Sequence, residues 1–221
     1  CRESSCQHIL KRLIDMIKVH IIGAGPGTID YLIPAAIREI EKADCLIGAK
    51  RILSQFCYPD KKKKYLEGHF KKVSSYIKKN KGRERIVVLV SGDPGLYSFL
   101  RQVQLILKRK EYAVIPGIST LQLAYARIGE SWQDTKIISV HGRPPNNLVE
   151  EVEASAKVFL LTDPKFPPQK VAAHLLKGKI SNRRVVIFEN LAYPDERIVK
   201  TDLRSLSKMK GFGLCVMIIT K

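Results

Sequence analysis

Three short stretches decide the fold: "IGAGPGT" at residues 22–28, "VLVSGDPGLYS" at 88–98 and "AVIPGISTLQ" at 113–122. Each is an apolar run that ends in a turn rich in glycine or proline, and the last two lead into residues with helical spacing. This alternation predicts parallel strands that are covered on both faces by helices. In open sheets of this kind, ligands bind outside the carboxyl ends of the strands. We therefore expect a ligand site at these three turns.

The rest of the chain predicts a second series of strands and helices. These strands run from "KIISV" to "GLCVMIIT", and toward the C-terminus they follow one another closely, as in a mixed sheet. The predicted fold class is therefore α/β with two α/β domains, the first with a mainly parallel sheet and the second with a mixed sheet. We place the domains at 16–116 and 131–221, with a connecting helix within 117–130.

The composition excludes several classes of protein. The chain has 221 residues, of which 45% are hydrophobic, and no apolar run approaches the roughly 20 residues of a membrane span. Residues 1–15 lack the apolar core of a signal peptide and precede Met16, so we expect an extension outside the folded domains. The five cysteines form no CxxC pair. We therefore expect reduced thiols, no metal site and a cytoplasmic protein.

The net charge of +18 is concentrated in residues 61–85, which hold nine lysines and two arginines against two glutamates. Such a run is typical of a solvated helix and loop surface. It also suits an attractive field for a polyanion, either RNA or a small molecule with many carboxylates. Composition does not separate these two interpretations.

The first glycine turn does not fit a dinucleotide site. A dinucleotide turn has the pattern G-x-G-x-x-G and an acidic residue after the second strand. Gly23 and Gly25 match, but the third position is Thr28, and the second strand leads to Lys50. Pro26 also removes a backbone N–H from the turn. An oxidoreductase that binds a dinucleotide is therefore disfavoured.

Together with "SVHGRP" (139–144) and "FENLAYPDERI" (188–198), the three stretches resemble the tetrapyrrole methylase family, S-adenosylmethionine-dependent methyltransferases that act on the corrin ring. The resemblance runs from Met16 to the C-terminus. It is greatest to members that methylate carbon 5 of a corrin precursor such as cobalt-precorrin-7 in cobalamin biosynthesis. It implies that the S-adenosylmethionine cofactor lies folded in a cleft between the two domains.

The resemblance also implies which residues contact the cofactor. Matched by motif position, they are Pro26, Gly92, Asp93, Leu96, Ser119, Thr120, Leu161, Thr162 and Leu191. Two positions depart from the family pattern. Thr28 stands where the family often has aspartate, and Ala49 stands where some relatives have an aspartate proposed as a base. That catalytic assignment is therefore not transferred.

Methyl transfer to a ring carbon requires that the carbon and the methyl group are held in line. A base is needed only to take or relay a ring proton. His141, Tyr97 and Glu189 are the catalytic candidates: His141 lies in a turn at a strand end and can titrate near neutral pH, and Glu189 lies at another strand end. Arg143 and His141 are the candidates for substrate binding, since a guanidinium binds carboxylates bidentately.

An alternative function is a ribosomal-RNA ribose 2'-O-methyltransferase of the same superfamily, which would suit the basic charge. The glycine turn lacks the Gly-Asn-Leu ending of that branch, and no basic and aromatic residues interleave for base stacking. The family resemblance instead implies a small-molecule corrin precursor, a homodimer, and a candidate partner protein that methylates carbon 15 and decarboxylates. We expect no membrane association and no nucleic acid.

Overall fold

A computed structural model describes residues 19–55, 58–68, 70–140 and 147–221 of the chain. The residue contacts divide it after Ser119 into a first unit and a second unit, Thr120–Lys221. The helix at 117–130 is thus counted almost wholly with the second unit, while the domain boundaries stay a prediction. The expected extension, residues 1–15, lies outside the described residues.

The first unit contains a five-stranded parallel sheet with the order β3-β2-β4-β1-β5. Three of its strands are buried along their whole length, as a sheet covered on both faces requires. The parallel sheet that the apolar runs predicted is confirmed. The strands are β1 (Val19–Gly23), β2 (Cys45–Gly48), β3 (Lys62–Tyr65), β4 (Ile86–Val90) and β5 (Ala113–Ile115).

Helices cover both faces of this sheet. They are α1 (Pro34–Glu41), α2 (Lys50–Leu53), α3 (Phe70–Asn80) and α4 (Leu100–Gln104). The first two pack on one face, in the cluster that holds Ile22 and Leu89, and the last two pack on the other, with Ile21 and Val88. Neighbouring residues of one strand thus belong to different hydrophobic clusters, because successive side chains of a strand point to opposite faces of the sheet.

The order of the strands creates a switch point between β1 and β4. From β1 the chain passes through α1 to β2, on one side of the sheet, whereas from β4 it passes through α4 to β5, on the other side. Ligands of open α/β sheets bind at such a point, outside the carboxyl ends of the strands. The turns after β1 and β4 are two of the three motif stretches.

The second unit contains a mixed sheet with the order β6-β7-β10-β8-β9. Only β6 and β7 are parallel neighbours, and the other pairs are antiparallel. The predicted mixed sheet is confirmed. Its strands are β6 (Thr135–Ser139), β7 (Lys157–Leu161), β8 (Arg184–Glu189), β9 (Arg197–Asp202) and β10 (Cys215–Thr220).

Three helices of this unit, α6 (Leu148–Ala154), α7 (Pro168–Lys177) and α8 (Leu203–Lys208), pack on one face of the mixed sheet. The remaining helix is α5 (Thr120–Ile128). In the register, Cys215 lies opposite Glu189, and Val216 lies opposite Leu161. The carboxyl ends of β7 and β8 therefore share one edge with the start of β10.

Two elements differ from the sequence prediction. The helical spacing that begins at Leu96 of "LYSFLRQVQLILKRK" (96–110) predicts a long helix, but the structure forms only α4. Its start is delayed because Tyr97 adopts a left-handed conformation with φ 46° that a helix does not allow. The strand β3 was not predicted, because its four residues, "KKKY", show no apolar alternation. It pairs with the buried β2, and lysines on such an edge strand discourage pairing with other chains.

Within the ranges described above, no helix is both long enough and apolar enough to cross a bilayer.

Candidate functional site

The three motif turns of the first unit meet backbone to backbone. A methyl group placed on Gly23 would lie 2.5 Å from the nitrogen of Gly117 and 2.5 Å from the oxygen of Gly92. Real Cβ atoms do not approach other atoms so closely, and a backbone cannot rotate aside as a side chain can. Gly23 and Gly117 are therefore glycines because the turns approach one another, which explains the motif without a bound phosphate.

Hydrogen bonds hold the same turns together. Gly92 donates its N–H to the carbonyl of Gly25 at 2.7 Å. The carboxylate of Asp93 accepts the N–H of Gly95 at 2.7 Å through one oxygen and the N–H of Gly117 at 3.1 Å through the other. Asp93 thus shapes its own turn and clamps the turn after β5. Its side chain acts as a positioning group for two of the three motif stretches.

Five of the predicted cofactor contacts lie on these turns of the first unit. Pro26, Gly92 and Ser119 are buried, whereas Asp93 and Leu96 are partly exposed. The predicted catalytic candidate Tyr97 follows directly, with 60% of its surface exposed. Its positive φ is a strained conformation for a residue with a side chain, and such strain is concentrated at functional sites.

Thr28, which the sequence analysis noted only as a departure from the family pattern, has an unusual hydroxyl. Its Oγ1 is shielded from solvent and has no hydrogen-bond partner in the described part of the chain. Thr28 precedes a short 3₁₀ helix, Ile29–Tyr31, yet its side chain does not cap that helix. A buried hydroxyl without a partner costs about 1–3 kcal/mol. A ligand with a polar group would relieve this cost.

At the matching edge of the second sheet, Thr162 is bound to the start of β10. Its hydroxyl donates to the carbonyl of Cys215 at 2.5 Å. Burial raises the pKa of the Cys215 thiol to about 11, so the thiol stays protonated at neutral pH. The Thr162 hydroxyl is already engaged, and this leaves the backbone as the part of Thr162 suited to the predicted cofactor contact. Leu161, directly before it, is half-buried.

Glu189, a predicted catalytic candidate, is 8% exposed at the end of β8. One carboxylate oxygen accepts the N–H of Gly213 at 2.6 Å. The other accepts Nε of Arg197 at 2.8 Å and lies 2.7 Å from a second guanidinium nitrogen. Because both oxygens are engaged, this geometry favours a positioning role over proton transfer.

The turn after β8 contains Leu191, which is buried. The residues on either side of it in the sequence have positive φ, Asn190 at 49° and Ala192 at 72°. The carboxylate of Glu196 accepts the N–H of Ala192 at 2.7 Å and the Nε of Arg127 at 2.6 Å. Arg127 belongs to α5, the helix that begins at the predicted contact Thr120. Its guanidinium lowers the pKa of the Glu196 carboxyl. An ion pair thus ties the strained turn to α5.

The predicted substrate-binding residues His141 and Arg143 lie outside the described residues. The residue before them, Val140, is buried and donates its N–H to the carbonyl of Leu161 at 2.9 Å. The chain therefore leaves β6 beside the end of β7.

The lysine-rich stretch divides into engaged and free lysines. Lys61 donates to the carbonyls of Glu41 and Ala43, at 2.7 and 2.8 Å, and so caps the end of α1. Lys62 pairs with Glu84 at 2.7 Å, and the amino group of Lys64 lies 4.1 Å from the ring centre of Tyr76. By contrast, four lysines of α3 are exposed and form no ion pair within the described ranges: Lys71, Lys72, Lys78 and Lys79.

Solved structures share this fold. A uroporphyrin-III C-methyltransferase from Thermus thermophilus, complexed with S-adenosylhomocysteine, matches 92% of this chain and 97% of its own with a TM-score of 0.77 at 19% identity. The precorrin-6Y methylase from Archaeoglobus fulgidus matches with a TM-score of 0.73 at 23% identity, over 92% of this chain and 97% of its own. The chain therefore has the same fold as these proteins.

The sequence comparison gives the family. The family model of the tetrapyrrole (corrin/porphyrin) methylases matches residues 18–207, and the chain belongs to this family. The cobalt-precorrin-7 C(5)-methyltransferase of Salmonella typhimurium is 34% identical over 180 residues, which cover 80% of this chain and 87% of that protein. The chain is a methyltransferase, as the motifs predicted.

Proposed function

We propose that this protein transfers a methyl group from S-adenosylmethionine to carbon 5 of cobalt-precorrin-7, or of the equivalent precorrin, in cobalamin biosynthesis. The observation that supports the proposal is the junction of the turns at Gly23, Gly92 and Gly117 in a chain of the tetrapyrrole methylase family, at the strand ends where open α/β sheets bind ligands. The choice of carbon 5 is supported by the name of the Salmonella relative, at 34% identity. We also propose a homodimer located in the cytoplasm.

The residues present fit the cofactor. S-adenosylmethionine has many polar atoms, and Thr28 Oγ1 is a buried polar atom that has no hydrogen-bond partner among the residues that the structure describes. Asp93 offers a partly exposed carboxylate, and the partly exposed Leu96 offers an apolar surface. We assign cofactor contacts to Pro26, Gly92, Asp93, Leu96 and Ser119 of the first unit, and to Thr120, Leu161, Thr162 and Leu191 of the second.

When bound, the cofactor supplies a methyl group on a positively charged sulfur, which is already a good leaving group. The protein's task is to hold the two reactants, and this can supply much of the rate. Asp93 serves this task by fixing two turns through its hydrogen bonds. Glu189 fixes Gly213 and Arg197 in the same way.

Any proton released by the substrate needs an acceptor. We assign this role to His141 or Tyr97, because Glu189 already uses both carboxylate oxygens. Tyr97 is exposed at the edge where the motif turns end. We assign Arg143, with His141, to the carboxylates of the corrin precursor, since a planar guanidinium matches a carboxylate.

The test follows a methyl group labelled with ¹³C. Purified protein is incubated with labelled S-adenosylmethionine and cobalt-precorrin-7, and NMR locates the new methyl group in the product. Methylation at carbon 5 is expected. Methylation at another carbon, or methylation of ribosomal RNA in a parallel reaction, would refute the assignment.

A titration tests the cofactor site separately. We expect S-adenosylhomocysteine to bind and NAD not to bind. Leu96→Glu should abolish this binding, because a charge would replace the apolar surface. Leu105→Glu is the matched control, since Leu105 is 78% exposed and lies outside the motif turns. Equal affinity in the two variants would remove Leu96 from the site.

A further inference from the structure

The second unit contains a pocket of about 490 Å³ that no predicted site residue lines. It lies at the starts of β7 and β8 and the ends of β9 and β10. Thr162 and Glu189 lie at the other ends of β7 and β8, and these strands of five and six residues are about 15 Å long. The pocket is therefore separate from the edge that carries the predicted contacts of this unit.

Four basic side chains line the pocket: Lys157, Arg184, Lys200 and Lys221. Lys157 donates to the carbonyl of Ser131 at 3.0 Å, and the guanidinium of Arg184 lies 3.5 Å from the terminal main-chain oxygen of Lys221. None of the four side chains forms an ion pair with an aspartate or glutamate in the ranges described. Their charges repel one another around a concave surface, which raises the local positive potential.

The acidic residues nearby do not neutralise these charges. Glu130 is the single acidic residue that lines the pocket. Asp202 lies opposite Arg184 in the register of β8 and β9. Its carboxylate instead accepts the N–H groups of Arg204 and Ser205 and caps α8. Counting Glu130 and the α-carboxylate of Lys221, the last residue of the sequence, four positive charges face two negative charges, which leaves a net charge of +2 in the lining.

The walls of the pocket are partly apolar. They include Ile128, Ala156, Val185, Val186 and Ile218. Val186 lies opposite Lys200 on β9 and opposite Ile218 on β10, so the basic and apolar side chains share one face of the sheet. The volume is within the range of small-molecule sites, about 300–1,000 Å³. A ligand that fits would combine an apolar body with several anionic groups.

We propose that this pocket binds a small polyanion, a molecule with at least two phosphate or carboxylate groups on a partly apolar body. The anionic groups pair with Arg184 and Lys200, and the body lies on Val186 and Ile218. Binding relieves the mutual repulsion of the four cations. The proposal is independent of the proposed function, because the pocket uses none of the residues assigned to the cofactor or substrate.

The test is calorimetric titration of the full chain with two probes: ATP for the phosphate class and mellitate, an aromatic polycarboxylate, for the carboxylate class. We compare the protein with Arg184→Gln/Lys200→Gln. The matched control is Lys78→Gln/Lys79→Gln, which removes the same charge from the exposed surface of α3. We expect one bound probe per chain. Its affinity should fall at least about tenfold in the pocket variant and less than about twofold in the control.

Two results would overturn the proposal. One is the absence of binding by both probes at millimolar concentration. The other is an equal loss of affinity in the two variants, which would show attraction to net charge alone. S-adenosylhomocysteine should bind all three proteins equally. A protein that binds a probe but not S-adenosylhomocysteine would contradict the proposed function and leave the pocket intact.

Discussion

The turns at the carboxyl ends of the strands are held mainly by backbone contacts in the first unit and by side-chain contacts in the second. In the first unit, the turns at Gly23, Gly92 and Gly117 touch through backbone atoms, and the carboxylate of Asp93 adds hydrogen bonds to this close backbone contact. In the second unit, Glu189 and Glu196 hold their turns through side-chain hydrogen bonds and ion pairs. Backbone contact admits only one residue type, whereas a side chain can find its partner anywhere in the chain. In the first unit, an added side-chain atom at these glycines should therefore lower stability. In the second unit, stability should instead depend on the charges of Glu189 and Glu196 and on pH.

The largest effect is expected from Gly23→Ala. The new methyl group would meet backbone atoms of Gly92 and Gly117 at 2.5 Å, and all of these atoms belong to packed turns. We expect a loss of about 3 kcal/mol in the free energy of unfolding, measured by urea denaturation. Gly82→Ala is the control, because nothing lies within 4 Å of the added methyl group. If both variants unfold at the same urea concentration, backbone contact is not what makes Gly23 a glycine.

The next effect is expected from Glu189→Gln. The change removes the charge that pairs with the half-exposed Arg197 and receives the N–H of Gly213. Allowing for solvent screening, we expect a loss of about 1.5 kcal/mol in stability. Glu153→Gln, at an exposed position, should change nothing measurable. Both carboxylate oxygens of Glu189 are engaged, so a positioning role predicts that kcat falls less than about tenfold. A fall of about 100-fold or more, typical of a lost general base, would restore Glu189 as a catalytic residue.

A smaller effect is expected from pH at Glu196. The ion pair with Arg127 lowers the pKa of this carboxyl below its ordinary value of 4.5. The pair therefore contributes its full stability above that value and loses it as the pH falls through the lowered pKa. From about pH 6 to about pH 3, the unmodified protein should lose about 0.5–1 kcal/mol more stability than Glu196→Gln. Parallel pH curves for the two proteins, measured by urea denaturation, would exclude this contribution.

The smallest effect concerns the lysines. Replacing Lys71, Lys72, Lys78 and Lys79 with glutamine should leave stability unchanged, because these side chains are exposed and form no ion pair within the described ranges. If the stretch attracts a polyanionic substrate, the variant should capture it about two- to threefold more slowly at low salt. Salt of about 0.1 M, which screens charges beyond about 10 Å, should remove the difference.

Lys61→Gln is the contrasting variant. Lys61 caps the carbonyls of Glu41 and Ala43, so its loss should lower stability by about 0.5 kcal/mol and leave capture unchanged. Stopped-flow capture rates and urea denaturation measure the two effects. If Lys61→Gln captures the substrate more slowly but is as stable as the unmodified protein, the attraction of the substrate comes from β3 and its neighbours.

The three motif turns could be predicted from the sequence because local constraints determine them. Buried strands require apolar runs, and the close approach of Gly23 to Gly117 requires glycine. The strand β3 could not be predicted, because its lysines show no apolar alternation. It is a strand because its backbone pairs with the buried β2. The polar networks of the second unit join Glu189 to Gly213 and Glu196 to Arg127, across separations of 24 and 69 residues.

The sequence by itself determined the α/β class, the two kinds of sheet and the position of the three motif turns, each of which follows from the type and spacing of neighbouring residues. The methyltransferase family followed from the resemblance of the motif stretches to those of known members. Only the tertiary structure decided that both carboxylate oxygens of Glu189 are engaged, that Thr28 Oγ1 has no partner within the described ranges and that four cations line one pocket. These depend on which distant residues the sheets place side by side, because a polar group's role is set by its partners and its burial.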